Sequence, residues 1–474
     1  MMTPATRRRA TFLMLLPVVA CGSDAAGSLA ITATPTVSAP SVIAANGVVA
    51  TTVGAPVSYD ASKGGTAFSD PAARGLVYTV AFSSGANGLS AIGCDIRGTA
   101  GAPGVTTVTV TATDAFGRTA SDRFAIVAFA SGLSAPTLPA ASERYSDATS
   151  PLPGHYFAQG QGGAVIATDN MPATNPTTDA GATLGRVLFH DPRVSANDRV
   201  SCASCHVQSL GFGDTARLSR GFAGGLTKRH AMGLANARFY QRGRFFWDER
   251  AATLEAQVLA PIQDSTEMGM TLDALALKLA GTTYYRPLFQ SAFGTTEITS
   301  DRIARALAQY TRSLVSGGSK FDRAFAGAGP PNFAGVFTAQ EQQGEALFRT
   351  AGCARCHGTN AQVGDDIHNT GLDATVTDVG AGSGRFKVPS LRNVALRAPY
   401  THDGRFTTLA QVVEFYNSGV QANPNLDNRL RGPGGAPLRL NLSPAEKAAL
   451  VAFLGTLTDS TMLSAAKFSN PFTR

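Results

Sequence analysis

The sequence predicts a multidomain chain, an all-β sandwich followed by two mainly α-helical domains in tandem, and three observations carry that expectation. Between residues 46 and 130, short β-branched runs alternate with Gly- and Asp-containing turns. Beyond residue 181, apolar residues recur at helical spacing. The helical part also holds one five-residue pattern twice, C-x-x-C-H at Cys202/Cys205/His206 and at Cys353/Cys356/His357. The length of 474 residues, with 44% hydrophobic and 15% charged residues, suits several buried cores rather than disorder. A net charge of +7 is mild, and the Lys and Arg residues are scattered, so no nucleic-acid partner is expected.

The chain opens with Arg7, Arg8 and Arg9 ahead of an apolar stretch from Thr11 to Ala20. That is the layout of an export signal over residues 1–20, and the apolar segment is too short to be a permanent membrane span. Val18-Val19-Ala20-Cys21 resembles a bacterial lipobox, which implies lipidation of Cys21; an ordinary signal peptide cut nearby is the alternative. Gly22 after the cysteine implies the outer membrane, so the expected location is the periplasm, with membrane attachment through a lipid anchor only. Residues 21–45, rich in Ser, Ala, Thr, Pro and Val, read as a tether.

Strands are expected at Pro56–Tyr59, Leu76–Val80, Val105–Thr111 and Phe124–Val127. The stretch from Gly98 to Asp114 and on to Phe124 resembles bacterial immunoglobulin-like modules, which makes residues 46–130 an immunoglobulin-like β-sandwich with a spacer or adhesion role. Residues 131–180 read as a linker. Helices are expected around Thr271–Leu279, Arg302–Leu307, Gln340–Phe348 and Ser443–Leu454, the last opened by a Ser443/Glu446 capping box. Leu184-Gly185-Arg186 and Gly344-Glu345-Ala346 precede the two C-x-x-C-H motifs in the same way. Two related domains, 181–335 and 336–474, are the simplest explanation.

Of six cysteines, Cys21 goes to lipid and four to the motifs, leaving Cys94 as a buried, inert thiol. Covalent c-type haem needs two thiols for thioethers and an imidazole placed to reach the iron, and C-x-x-C-H supplies all three. A zinc site or a redox dithiol would have to treat the following histidine as coincidence twice. Two covalent c-type haems are therefore expected, with His206 and His357 as iron ligands. An enzyme then differs from a carrier in leaving one iron position open or displaceable.

The ordered motifs Leu184–Phe189, Asp191-Pro192-Arg193, Ser201–His206, Phe245–Asp248, Gln257, Pro261-Ile262, Glu267-Met268-Gly269, Pro389–Asn393 and Ala398–Gly404 resemble the bacterial di-haem cytochrome c peroxidase family, including its MauG branch. The resemblance covers roughly residues 180–470 and implies two cytochrome c-type haem domains. It implies that Gln257 and Glu267 stand on the distal side of the peroxide-reacting haem held by His206, with Pro261 in the same loop. A carboxylate there can move the peroxide proton. Trp247, the single tryptophan, corresponds to the family's tryptophan between the haems. Asn236, with the backbone of Arg397 and Pro399, matches a calcium site between the domains, although the family often has threonine where this chain has Arg397.

Tyr416 stands where peroxidase members place methionine and the MauG branch places tyrosine. The resemblance implies a tyrosine-ligated, low-potential second haem, with Met462 as the alternative ligand. His230 lies in the region of a loop histidine that closes the active haem in some members, but it does not align with that residue, and a hydrogen-bonded loop histidine is the favoured role. His402 reads as packing or as a propionate contact. The expected function is peroxide-dependent oxidation, with hydrogen peroxide and either a small redox protein donor or a protein substrate as partners. The alternative is a periplasmic electron carrier with both irons six-coordinate. A structural lipoprotein with a vestigial cytochrome is a third reading, which two complete motifs disfavour.

Overall fold

The computed structural model describes residues 38–472, apart from 84, 140–142, 161, 328 and 365. The expected signal peptide, the lipidation site Cys21 and most of the tether lie outside the described residues. The chain divides into two compact units, 1–131 and 132–474.

The first unit is built of strands. One sheet has four, ordered Val49–Thr52, Thr119–Phe129, Gly104–Thr113 and Val77–Phe82; the outer pair Val49–Thr52/Thr119–Phe129 is parallel and the rest antiparallel. A second sheet pairs Pro56–Asp60 with Asp95–Thr99, and that strand with Leu89–Ile92. In Gly104–Thr113, Thr106, Val108, Val110 and Ala112 are buried while their neighbours are not, as period-2 alternation requires. Val108, Val110 and Ala112 meet Val57, Leu89, Ile96, Phe124 and Cys94 in one core, so the two sheets form a sandwich. Cys94 is 5% exposed and buried as expected.

The second unit is helical and contains the two C-x-x-C-H motifs. The helix Asp179–His190 lies against Ser300–Ser313 ahead of the first motif, and Ala339–Thr350 lies against Pro444–Gly455 around the second. Each pair crosses at a glycine. A Cβ on Gly185 would come within 2.0 Å of the Ala306 carbonyl oxygen, and one on Gly344 within 1.9 Å of the Ala449 oxygen. The repeated Gly before each motif is thus the notch that lets the partner helix approach. Threonine or serine side chains cap the starts: Thr178, Thr253, Thr271, Thr299, Thr338 and Ser443 each accept a backbone N–H of the first turn.

Among its described residues, the segment 132–178 carries two single-turn helices, at Gly154–Tyr156 and Val165–Thr168. It is nonetheless fixed to the helical unit. Tyr145 donates to the Lys467 carbonyl at 2.5 Å and Tyr156 to the Ser316 carbonyl at 2.6 Å, and both rings are buried.

Candidate active site

At the first motif, Cys202–Cys205 forms one helical turn, and the His206 N–H donates back to the Cys202 carbonyl at 2.9 Å. The imidazole then leaves the turn with Nδ1 3.0 Å from the carbonyl oxygen of Phe212. A donor contact there fixes the ring and leaves Nε2 for iron. Burial is the main cause that pushes the Cys202 thiol to about 12 and the Cys205 thiol to about 11. The charge of Glu267 adds to the rise in both, so this carboxylate is within electrostatic reach of the motif.

Glu267 is held by a turn rather than a helix. The helix Leu254–Gln263, which carries Gln257 and has Pro261 inside it, ends before Asp264. Asp264 then accepts the N–H groups of Thr266 and Glu267 on Oδ1 and those of Glu267, Met268 and Gly269 on its carbonyl oxygen. Burial, and secondarily the neighbouring Asp264, raise the Glu267 pKa above the usual carboxylate range. The turn is clamped from outside as well, since the Phe222 N–H donates to the Glu267 carbonyl at 2.9 Å. The Phe222 ring fills the space a Cβ on Gly269 would take, 2.5 Å away. Phe222 was not marked by sequence reasoning; its contact is made across a loop and leaves no local pattern.

The second motif opens into a cavity of about 260 Å³ lined by Cys353, Cys356, His357 and Tyr416. Apolar groups such as Phe348, Leu391 and Val413 complete its walls. A largely apolar slot with two thiols, an imidazole and a phenol fits a c-type haem, which needs those attachments and a dry surround. Tyr416 lies on a π-helical turn, Phe415–Gly419, that follows the helix Leu409–Glu414. Burial, and then the Cys356 and Cys353 thiols, push its phenol well up. Such turns re-aim single side chains at functional sites. Met462 is buried in the core that surrounds Phe212 and does not line this cavity; its sulfur lies 3.8 Å from the Asn393 amide.

Trp247 lines the same cavity, with its indole N–H donating to the His230 carbonyl at 2.8 Å. Its ring stands edge-on to His402 at 6.4 Å, and His402 stacks on Phe386 with centroids 3.6 Å apart. His230 donates its N–H to the His402 carbonyl and sets its ring Nδ1 3.0 Å from the Ala216 carbonyl. Its backbone positions Trp247. The Arg229 guanidinium bridges Asp248 and Asp378 beneath this group.

The three residues of the expected calcium site fare differently. Asn236 is fully buried, but its Oδ1 accepts the Ser316 N–H at 2.9 Å and its Nδ2 donates to the Tyr156 hydroxyl. Arg397 and Pro399 line the second cavity, where Arg397 brings a buried guanidinium. Calcium is held by oxygen donors, carboxylates above all. The expected donors are the Asn236 Oδ1, already engaged with Ser316, and the backbone carbonyls of Arg397 and Pro399, and no step below uses calcium.

Residues 179–329 match the family described as di-haem cytochrome c peroxidase, and residues 341–458 match cytochrome c. The chain is 37% identical over 298 residues to the methylamine utilization protein MauG of Methylorubrum extorquens, spanning 60% of this chain and 80% of that one. It is 33% identical over 300 residues to the cytochrome c551 peroxidase of Nitrosomonas europaea, spanning 61% and 83%. Among solved structures, a MauG-like protein associated with microbial copper homeostasis superposes with a TM-score of 0.58 at 30% identity, covering 64% of this chain and 97% of that one. The diheme peroxidase BthA from Burkholderia thailandensis E264 shares the fold, with a TM-score of 0.51 at 24% identity over 62% of this chain and 90% of that one.

Proposed function

The chain belongs to the di-haem cytochrome c peroxidase family and is a MauG-like di-haem oxidoreductase, and from that premise we propose which of its residues divide the work. His206 serves the peroxide-reacting site, and His357 with Tyr416 serves the site that holds the second oxidising equivalent. When bound, the two haems supply the redox chemistry with peroxide. Cys202 and Cys205 hold one haem through thioethers, and Cys353 and Cys356 hold the other.

The observation that carries this reading is the placement of Glu267, a half-buried carboxylate within electrostatic reach of Cys202 and Cys205, on a turn fixed from both sides. Glu267 takes the proton of hydrogen peroxide and returns it to the leaving oxygen, and Gln257 orients the bound molecule. Trp247, locked by the His230 carbonyl, relays electrons between the two sites. Electrons enter from a small redox protein or from oxidisable residues of a protein substrate. The electron-carrier alternative gives a desolvated carboxylate at this position no task.

The location is part of the proposal. Arg7–Arg9, the apolar stretch after them and the lipobox-like Val18–Cys21 support export to the periplasm and a lipid anchor on Cys21, with the β-sandwich as spacer. Among the described residues, no helix is long and apolar enough to cross a membrane.

Glu267→Gln tests the reading. A general base acts only when ionised, so peroxide turnover rises with pH through the raised Glu267 pKa, above the ordinary carboxylate range. The variant is expected to keep both haems, lose turnover by about 10²- to 10⁴-fold and lose that acid limb of the pH profile. Full activity in Glu267→Gln removes this residue from the mechanism.

A further inference from the structure

Arg397 is a buried cation that no acid among the described residues pairs with. Only 9% of it is exposed. One terminal nitrogen donates to the Ser390 carbonyl at 2.5 Å, while Nε has no hydrogen-bond partner. Burial pulls its pKa down to about 10, and the one opposing influence is the Tyr400 phenol rather than a carboxylate. An unpaired buried charge of this kind costs several kcal/mol unless an anion arrives to meet it.

The surroundings are shaped to admit the guanidinium. At Gly233 a Cβ would stand 2.4 Å from a terminal nitrogen of Arg397, so only glycine leaves it room. The aliphatic stem passes Gly211 and Gly213, on the loop whose Phe212 carbonyl meets the His206 ring. Arg397 also lines the cavity that contains Cys353, Cys356, His357 and Tyr416. It therefore stands between the loop of the first motif and the slot of the second.

A haem brings two propionate carboxylates into its slot, and a guanidinium is the side chain best matched to a carboxylate. We infer that Arg397 is a binding residue for a propionate of the haem attached at Cys353 and Cys356, through an ion pair between the two attachment sites. This rests on the two-haem reading above. The pair offsets the propionate charge near the iron, which favours the reduced state of that haem and fixes the cofactor against the wall shared with the first motif.

The test is a redox titration of the full-length, haem-loaded protein and two variants, with haem content measured in each. Arg397→Gln retains a donor for Ser390 but no charge, and Arg397→Lys retains the charge. The expected result is two haems in every sample, a lower midpoint potential for one haem in Arg397→Gln, and most of that shift restored in Arg397→Lys. Unchanged potentials in Arg397→Gln, or equal shifts in both variants, would overturn the inference and leave Arg397 a packing role. Should Arg397→Gln fail to mature, resonance Raman propionate bands in wild type and Arg397→Lys decide: a shifted band supports the contact and identical bands refute it. Fewer than two haems in the wild type would instead defeat the two-haem reading itself.

Discussion

Tyr416 and Met462 show what a single position contributes. From the sequence, both were available as the distal partner of His357. Tyr416 lines the cavity with the second motif, whereas Met462 is spent in the core around Phe212. A phenolate is hard and anionic and holds iron in the oxidised state, whereas methionine raises the potential. Tyr416→Met is therefore expected to raise the midpoint potential of the second haem, read by redox titration and absorption. An unchanged potential and spectrum would show that Tyr416 is not a ligand. The cysteines and histidines of both motifs were legible because their chemistry is local, five residues in a row. Tyr416, Glu267 and Trp247 were legible only through the wider resemblance. Arg397 as an unpaired cation, and Phe222 as the clamp on the Glu267 turn, were not. Both depend on contacts between segments far apart in sequence, which no spacing records.

At the level of elements, the repeat Leu184-Gly185 and Gly344-Glu345 was visible in the sequence but its reason was not. Each glycine sits where a second helix crosses, and the backbone oxygen it faces belongs to a helix about 100 residues further along the chain. Gly344→Ala places a methyl 1.9 Å from the Ala449 oxygen, so the Ala339–Thr350 and Pro444–Gly455 helices have to separate. Overpacking of this kind costs about 1–3 kcal/mol. The haem-loaded variant is expected to melt a few degrees lower, at roughly 1–2 °C per kcal/mol for the unit 132–474. A melting temperature equal to wild type would mean that the crossing is looser than described. The helix starts were partly readable: the Ser443/Glu446 box was recognised, while single threonine caps such as Thr178 and Thr299 carry too little sequence signal to mark. The strands followed from period 2, since Gly104–Thr113 buries alternate residues along its length.

Across the whole molecule, the change of texture from β-branched runs to helical spacing marks two kinds of architecture, and the described residues form a sandwich and a helical unit accordingly. The segment after Ser131 was harder. Its Pro, Gly and Ser content speaks of a connection, yet Tyr145 and Tyr156 anchor it to residues more than 150 positions away. Composition reports local stiffness and says nothing of such distant partners.

On the proposed function, the His206 site is open to peroxide in the resting protein, and the His357/Tyr416 site shares the oxidation. His230 is the side chain to watch, because its backbone is tied to His402 and Trp247 and its Nδ1 to the Ala216 carbonyl, which leaves Nε2 as the ring atom that could meet the iron. The most direct test is rapid mixing of the fully oxidised, haem-loaded protein with stoichiometric hydrogen peroxide, followed by absorption. The expected result is a change in the haem bands within the mixing time that outlasts the peroxide, without prior reduction. No change until one haem has been reduced would contradict it, and would mean that a displaceable side chain closes the site at rest.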